Sequence, residues 1–374
     1  MANATPRPCV ITLSSNITTK SNHQGGQVNL VPAACVYLGF VAALFAGSLV
    51  LPGRRLRGAP LPDGTRRLYR VNGPALLGVV GLGAGVLAVV LPEALGFPYR
   101  NAVALFVVAN LFAVAATLVL YARAPGPKRP RDLFSGVELN PTLAGVDLKL
   151  FSYRPSLMGL LLINVSFAAA QLERHGELTG RMLLYQAFCA LYTINYFQFE
   201  HGMLHTWDII AERFGGMLIW GDYVLVPFFY SLPGWFLVDT LTPLPAWAGV
   251  TACLAFAFGF WLFRGANGQK HRARTDPEAR IWGRPARFLD GKLLVSGFWG
   301  VGRKLNYTGE LLMYASWTAL CGLASPVPYL LPAWLAVLLI HRAWRDDRRC
   351  REKYGPLWDA YCRHARFRMI PFVY

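Results

Sequence analysis

The sequence predicts an all-α, polytopic integral membrane protein with about 8 to 10 transmembrane helices. Of its 374 residues, 54% are hydrophobic and only 15% are charged. Several apolar stretches approach the roughly 20 residues that a helix needs to cross about 30 Å of hydrocarbon. The basic residues gather in the segments between these stretches. Apolar spans alternating with charged loops are typical of a chain that crosses a bilayer repeatedly.

The apolar stretches give the predicted spans in chain order. Clear spans are predicted at 31–51, 74–92, 102–122, 156–173, 182–199, 245–263 and 327–341. Two less regular apolar stretches lie at 217–238 and 308–325. The first of these contains Gly221 and Pro227, which interrupt regular helix. A broken helix that lines a cavity is therefore predicted there, because irregular backbone inside a membrane is tolerated at such places.

The chain divides into three predicted parts. Residues 1–30 are polar and contain no apolar stretch, so we expect a loose terminal tail without a cleavable signal peptide. Residues 31–125 are rich in Gly, Ala, Val and Leu, which indicates three scaffold helices. Within 136–374, polar and aromatic residues accompany every apolar stretch, so we expect the functional half of the protein there.

The formal net charge of +17 is concentrated in four basic segments at 54–70, 123–131, 264–304 and 342–368. By the positive-inside rule these segments face the cytoplasm, and attraction to anionic membrane lipids accounts for part of the charge. The segment 264–304 holds more cations than membrane orientation requires. It predicts a phosphate-rich ligand at the cytoplasmic surface.

Four glycines within the second span, Gly78, Gly81, Gly83 and Gly85, superficially resemble a dinucleotide-binding loop. Such a loop must follow a strand and open a helix within a βαβ unit, whereas these glycines lie in the middle of an apolar span. Close packing of this helix against a neighbour is the preferred interpretation.

The end of the span at 182–199 carries ionisable residues. His201 and His205 are four residues apart and share one helical face, with Glu200 before them and Asp208 after them. Membrane di-iron enzymes need several histidine clusters, whereas this chain has seven histidines in all. We therefore predict no metal, and interpret Glu200 and Asp208 as substrate-binding residues, since ionisable groups within membranes commonly mark a substrate path.

The broken helix adds aromatic side chains to this region. We expect an apolar substrate pocket with walls formed by Trp207, Trp220 and Tyr230. Asp222 or Glu200 is expected at its polar end, because an apolar pocket with few polar groups is typical of small-molecule sites.

Two basic helical faces follow. Lys270 and Arg274 are one turn apart, as a surface that binds a phosphate requires. Farther along, Arg342, Asp346, Cys350 and Tyr354 recur at intervals of four residues. Tyr361 is expected on the same side one heptad later, and Arg342 is expected to pair with Asp346.

Several segments resemble those of the membrane sterol reductases, a family that also includes the membrane part of the lamin B receptor. The matching segments are GVELNP at 136–141, the TrpGlyAsp step at 220–222, NGQK at 267–270, SGFWGVGRKLNYTGE at 296–310, HRAWRDD at 341–347 and CREKYG at 350–355. The resemblance covers 136–374. It implies a helical membrane enzyme that uses NADPH to saturate a sterol C=C bond at C14, C7 or C24.

The resemblance also implies roles for individual residues. An isolated alkene must be protonated before it accepts hydride, so Tyr361 or Tyr230 is expected to donate the proton, supported by Asp346 or Asp222. Cofactor-binding roles are implied for Lys270, Arg274, Trp299, Arg303, Asn306, Tyr307, Arg342, Asp346 and Tyr354.

Reduction at C14 is the default expectation, while C24 and C7 stay open. An isoprenylcysteine methyltransferase-like enzyme that uses S-adenosylmethionine is the alternative, because such enzymes share a late Arg/Asn/Tyr loop and a tyrosine-rich terminal helix. The expected partners are a sterol entering from the bilayer and membrane lipids, with no nucleic acid. The expected location is a bacterial inner membrane, or the endoplasmic reticulum in a eukaryote, with the cofactor site on the cytoplasmic side.

Overall fold

A computed structural model describes residues 29–374. The tail predicted at 1–30 lies almost wholly outside the described residues. Among the described residues, six helices are long and apolar enough to cross a membrane. The prediction of a helical, polytopic membrane protein is confirmed.

The long helices form the membrane part of the protein. They are α1 Leu30–Val50, α2 Gly73–Val90, α5 Ala102–Arg123, α7 Leu148–His175, α8 Gly180–Gln198, α12 Ala246–Thr275, α14 Leu305–Ala319 and α15 Leu330–Tyr354. Short helices join them: α3 Pro92–Leu95, α4 Phe97–Arg100, α6 Asp132–Ser135, α9 Trp207–Ile210, α10 Gly216–Trp220, α11 Leu232–Leu237, α13 Phe298–Val301 and α16 Pro356–His364. Two 3-10 turns lie at Glu200–His205 and Val327–Tyr329.

Four small antiparallel hairpins occupy the loops. They pair β1 Arg54–Arg57 with β2 Leu68–Val71, β3 Thr142–Leu143 with β4 Val146–Asp147, β5 Arg280–Ile281 with β6 Arg284–Pro285, and β7 Phe288–Leu289 with β8 Leu293–Leu294. The last two hairpins lie in the basic segment before α13 and fold it into a compact surface loop.

Helix α7 is longer than its apolar stretch predicts. The Asp147 side chain caps it by accepting a hydrogen bond from the Leu150 N–H at 2.9 Å, which starts the helix eight residues before 156. Lys149, Ser152 and Arg154 in its first two turns are buried. Hydropathy misses this part of the helix because its polar side chains are enclosed by protein rather than by lipid.

The irregular helix predicted around Gly221 and Pro227 is confirmed. Between α10 and α11 the chain winds as a π-helix over Gly221–Phe229, with Pro227 inside it. Proline removes one N–H donor, and a wider turn accommodates that loss without unwinding the chain. Such π segments occur often at functional sites.

Helices α12 and α14 approach each other backbone to backbone. A Cβ atom added at Gly309 would lie 2.5 Å from the Gly259 carbonyl oxygen, and one added at Gly259 would lie 2.7 Å from the Gly309 oxygen. Small residues permit this distance between membrane helices. The contact fixes the depth and rotation of α14.

The glycines of α2 do not pack in this way. Added Cβ atoms at Gly78, Gly81, Gly83 and Gly85 would meet no atom within 4 Å among the described residues. The prediction of close packing at these positions is wrong for the single chain, because α2 contacts its neighbours chiefly near its start, where Gly73 and Leu76 are buried.

A buried ion pair ties the first helices to the rest of the molecule. The Arg154 Nε lies 3.2 Å from Glu200 Oε1, and both side chains are at least 97% buried. Arg154 also donates to Ser48 at the end of α1 and to the Arg70 carbonyl oxygen. Glu200 accepts the first N–H of α2, from Gly73, at 2.8 Å. One guanidinium and one carboxylate therefore satisfy the ends of two helices.

We expect Arg154→Met to lower the stability of the protein by about 3–5 kcal/mol, because it leaves the Glu200 carboxylate buried without a cation. The measurement is thermal unfolding in detergent. Arg174→Met is the matched control, since Arg174 pairs with Asp239 at the surface, and exposed pairs contribute only about 0–1 kcal/mol. Equal losses in both variants would contradict this account.

Candidate functional site

One face of α14 carries the polar stripe of the site. Lys304 precedes the helix, and Tyr307, Glu310, Tyr314 and Trp317 follow at intervals of three or four residues, so all project from the same side. Trp317 and Tyr314 are almost fully buried, whereas Tyr307 and Glu310 are half-buried. The stripe therefore runs from the basic surface loops into the core of the helical bundle.

The surface end of the stripe combines two ammonium groups with an aromatic ring. Lys304 is buried and pairs with Asp346 of α15. Lys270 of α12 places its Nζ 4.4 Å from the centroid of the Trp299 ring, a cation–π distance. The Trp299 indole donates to the Ala266 carbonyl oxygen at 2.8 Å, which fixes the ring against α12. Arg274 is exposed one turn beyond Lys270.

Asn306 lies between these groups. Its amide nitrogen is 3.3 Å from the Asn267 side-chain oxygen on α12. Its own side-chain oxygen is buried without a hydrogen-bond partner among the described residues. A buried polar atom without a partner is costly, so this oxygen is suited to a donor supplied by a ligand.

The loop that carries Trp299 is held by the C-terminal segment. Arg303 donates to the Ala365 carbonyl oxygen at 2.7 Å and lies 3.4 Å from Asp347. Asp347 also accepts from Arg368 at 2.5 Å. These contacts hold the loop against the C-terminal segment, while Arg303 Nε is buried without a hydrogen-bond partner among the described residues. The cofactor-binding role expected for Arg303 therefore stays a prediction.

The row of residues expected on one face of the last long helix, from Arg342 to Tyr354 and on to Tyr361, is interrupted. Helix α15 ends at Tyr354, and Gly355 adopts a φ of +54°, which turns the chain into α16. Tyr354 stacks on Trp358 with ring centroids 6.5 Å apart. Tyr361 therefore does not continue the face of α15.

The hydroxyl of Tyr361 donates to the Trp299 carbonyl oxygen at 3.0 Å. Burial raises the pKa of Tyr361 above its ordinary value. The side chain packs in a cluster with Val295, Trp358 and Ala365, separate from the main core that contains Tyr230. This placement supports a role in holding the loop and opposes proton donation to a substrate in the membrane.

The expected pair between Arg342 and Asp346 is also corrected. Arg342 pairs with Asp208 at 3.0 Å, while Asp346 is engaged by Lys304. Asp208 additionally accepts from the Tyr153 hydroxyl at 3.3 Å. The partners of Arg342 and Asp346 therefore come from other elements, so the two pairs connect α15 to the rest of the bundle.

A buried lysine positions Asp208. Lys149 is fully buried, and its ammonium group donates to the carbonyl oxygens of Asp208 at 2.5 Å and of Glu212. These carbonyl groups lie in and just after the short helix α9, where they have no helical partners. Lys149 thus fixes the segment that presents the Asp208 carboxylate to Arg342.

The inner end of the polar stripe is a group of aromatic rings around one carboxyl. The Tyr192 hydroxyl lies 3.4 Å from Glu310 Oε1. Tyr314 places its ring centroid 5.4 Å from the rings of both Tyr192 and Tyr230, and 4.2 Å from that of Trp317. These edge-to-face contacts form a rigid aromatic wall.

The three aromatic residues expected to wall one pocket have different environments. Trp220 is 42% exposed and donates to Asn110 of α5 at 3.0 Å, so it faces outward. The Trp207 indole donates to Glu212 at 2.6 Å, and its ring contacts the Arg349 guanidinium. Only Tyr230 joins the inner aromatic wall. The prediction is corrected for Trp220 and Trp207, because each already has a partner elsewhere.

The two carboxyls expected at the polar end of the pocket also differ. Glu200 is not free to bind a substrate, because Arg154 and the Gly73 N–H occupy its oxygens. Asp222 is buried in the π-helix and accepts from the Ser152 hydroxyl at 2.5 Å. Asp222 thus has one hydroxyl partner, whereas both side-chain oxygens of Glu200 are engaged within the protein.

The neighbouring histidines have cationic surroundings. His201 lies 5.5 Å from His271 by ring centroids. Partial burial, followed by His271, Arg264 and Arg54, lowers the pKa of His201, which favours its neutral form. Among residues 29–374, no group of three His, Cys, Asp or Glu side chains is arranged to hold a metal ion.

Sequence reasoning missed Glu310, Tyr192 and Lys149. Glu310 was present in the matching segment and begins an apolar stretch, and an ionisable residue beside or within such a stretch is by itself a functional signal. Tyr192 lies inside the span at 182–199, where only its facing partner distinguishes it from a packing residue. Lys149 precedes the apolar part of α7, so its burial follows from tertiary structure alone.

Most of the chain is similar to known proteins. A family model described as the ergosterol biosynthesis ERG4/ERG24 family matches residues 12–374. The Delta(14)-sterol reductase of Arabidopsis thaliana is 42% identical over 354 residues, covering 90% of this chain and 94% of the relative. That of Methylotuvimicrobium alcaliphilum is 40% identical, covering 90% and 83%. The 7-dehydrocholesterol reductase of Xenopus laevis is 36% identical over 65% of this chain and 54% of the relative.

These matches extend the similarity beyond the range given by the sequence motifs. The family model begins at residue 12 and therefore includes the first three long helices, whereas the motifs reached back only to residue 136. The start of the resemblance, predicted at residue 136, is therefore corrected to residue 12. Helices rich in Gly, Ala, Val and Leu carry few distinctive residues, so motif comparison could not detect the relationship there.

Proposed function

We propose that this chain, which belongs to the ergosterol biosynthesis ERG4/ERG24 family, reduces the C14–C15 double bond of a sterol with NADPH as the reductant. The observation that carries the proposal is the polar stripe of α14, which connects a cationic site to a half-buried carboxyl beside aromatic rings. A water-soluble cofactor and a lipid-soluble substrate could each reach one end of it. The names of the most similar relatives support reduction at C14 over C7, and favour reduction over methyl transfer.

The surface end fits a dinucleotide phosphate. Lys270 places its ammonium group over the Trp299 ring, and Lys304 places its own 5.9 Å from the Tyr307 ring centroid. Of these two lysines, only Lys304 has a carboxylate partner, Asp346, among the described residues. The side-chain oxygen of Asn306 has no hydrogen-bond donor among the described residues. Cationic groups with an adjacent aromatic face are suited to phosphates and a flat heterocycle. When bound, NADPH would supply a hydride.

The residues that would hold this cofactor come from four elements. Lys270, Lys304 and Arg274 would contact phosphates, and Trp299 and Tyr307 would contact the rings. Asn306 would accept a hydrogen bond, and Tyr354 and Asp346 would border the site on α15. Arg342 lies one turn before Asp346 and pairs with Asp208, so it would contact the cofactor from the side that faces the substrate.

The chemistry explains why a membrane-embedded acid is required. An isolated sterol alkene has no carbonyl group to take up electrons, so it must first be protonated, which leaves a tertiary carbocation. The hydride then completes the new C–H bond. Such a cation survives only where water is excluded. The aromatic interior around Tyr314 and Tyr230 would provide this environment, and the basic loops at the other end support a cytoplasmic cofactor site.

Turnover by the purified protein tests the proposal. We expect NADPH-dependent reduction of a Δ14 sterol, measured by mass spectrometry as a gain of two hydrogen masses, with slower or no reduction of Δ7 and Δ24 sterols. S-adenosylmethionine with a prenylcysteine substrate serves as the control reaction. Methyl transfer, or failure to reduce any of the sterols, would contradict the proposal.

We expect Lys270→Gln to weaken NADPH binding at least tenfold, because a charge-assisted contact with a phosphate contributes about 1.5–3 kcal/mol. The dissociation constant can be measured by titration calorimetry. Lys292→Gln is the matched control, because Lys292 is an exposed lysine of the same basic segment that already pairs with Asp290. Unchanged affinity in the Lys270 variant would remove this residue from the site.

A further inference from the structure

We propose that Glu310 is the acid that protonates the sterol alkene, and that Tyr192 orients its carboxyl group. The assignment rests on the proposed function and names the proton donor of the same site. Sequence comparison with the motifs of the family gave Tyr361, Tyr230, Asp346 and Asp222 as the acid or its support. The contacts of α14 favour a different group.

The position of Glu310 along the polar stripe is the first argument. Tyr307, whose ring centroid is 5.9 Å from the Lys304 ammonium, lies one turn before it, and Tyr314 lies one turn after it. Glu310 thus stands between the cationic cofactor end and the aromatic interior. The adjacent residue Gly309 contacts the backbone of Gly259, so α14 cannot slide or rotate to withdraw the carboxyl.

The ion pairing of the region is the second argument. Arg342 is the nearby guanidinium on α15, and its charge is compensated by Asp208 at 3.0 Å. Glu310 has no Lys, Arg or His nitrogen within 4.0 Å in the described part of the chain; its contact is the Tyr192 hydroxyl at 3.4 Å. An unpaired carboxylate in an apolar interior is costly, whereas the neutral acid is not. Two carboxyls with opposite environments indicate one ionised group and one proton donor.

The aromatic surroundings are the third argument. Tyr192, Tyr314 and Tyr230 form a chain of rings beginning at Glu310. The electron-rich faces of such rings attract cations, so they would stabilise the carbocation that protonation produces. A carboxylic acid is also a much stronger acid than a phenol. The tyrosines are therefore better suited to stabilise the cation than to donate the proton.

The competing candidates have other partners. Asp222 accepts a hydrogen bond from Ser152 on the α7 side of the π-helix. Asp346 pairs with Lys304 at the surface end, and the Tyr361 hydroxyl is bonded to the Trp299 backbone. Of these groups, Glu310 alone contacts a hydroxyl of the aromatic wall.

The proposed step balances in atoms and electrons. The O–H bond of Glu310 breaks, the alkene π pair forms a C–H bond at C15, and C14 becomes a tertiary cation. Bound NADPH would supply the hydride that forms the second C–H bond, at C14, and would be released as NADP⁺. The Glu310 carboxylate then regains a proton from water. Each turnover consumes one proton and one hydride.

The test compares Glu310→Gln, Glu310→Asp and Tyr192→Phe with the control Glu173→Gln, which removes an exposed carboxylate that pairs with Arg100 and should leave kcat unchanged. General acid catalysis contributes about 100- to 10,000-fold, so we expect Glu310→Gln to lower kcat at least 100-fold. Its dissociation constant for NADPH should stay within twofold of the native value, because the cofactor lies at the other end of the stripe. Glu310→Asp keeps the acid one methylene away and should recover part of the activity. Tyr192→Phe should lose about tenfold in kcat, an intermediate effect for a positioning group.

The outcomes separate the two claims. Native protein that reduces no sterol would overturn the proposed function together with this assignment. Native protein that is active alongside a Glu310→Gln variant within threefold of its kcat would overturn the assignment alone. If Glu310→Gln does not fold, Glu310→Asp decides: lowered kcat with a larger solvent deuterium isotope effect supports the assignment, and unchanged values of both overturn it.

Discussion

Several charged side chains of this molecule lie between helices and pair with charges on other elements of the protein. Arg154 and Glu200 join the ends of α1 and α2 to α7 and α8. Arg342 and Asp208 join α15 to the segment after α8. Because an unpaired charge would be far more costly here than at a water-exposed surface, these two pairs constrain how the long helices can be arranged.

The same constraint explains how charged groups are distributed around α14. At the surface end, Lys304 and Lys270 supply more positive charge than Asp346 alone offsets, which leaves room for an anionic ligand. Beside the middle of α14, Arg342 of α15 pairs with Asp208 at 3.0 Å. At the inner end, Glu310 has only a tyrosine hydroxyl beside it. An excess of positive charge, a balanced ion pair and a carboxyl without a cationic partner thus follow one another beside one face of α14.

The fold was largely predictable from the sequence, whereas the site was predictable only in part. Span positions depend on local hydropathy, and even the irregular helix at Gly221 and Pro227 followed from residue type. The partners of Arg342 and Arg303 were not predictable from the sequence. The i,i+4 spacing describes contacts within one helix, whereas the actual partners come from other elements. Lys149 and Glu310 depend likewise on what encloses them. Burial of a polar residue is a tertiary property that composition cannot express.

The central claim is that hydride and proton reach the sterol from opposite ends of this helix face, one from the cofactor and one from an acid that exchanges with water. The most direct measurement is the origin of the two added hydrogens. With NADPH deuterated at the transferable position, the account predicts one deuterium at C14; with ordinary NADPH in heavy water, it predicts one at C15. Two solvent-derived hydrogens, or two from the cofactor, would contradict it.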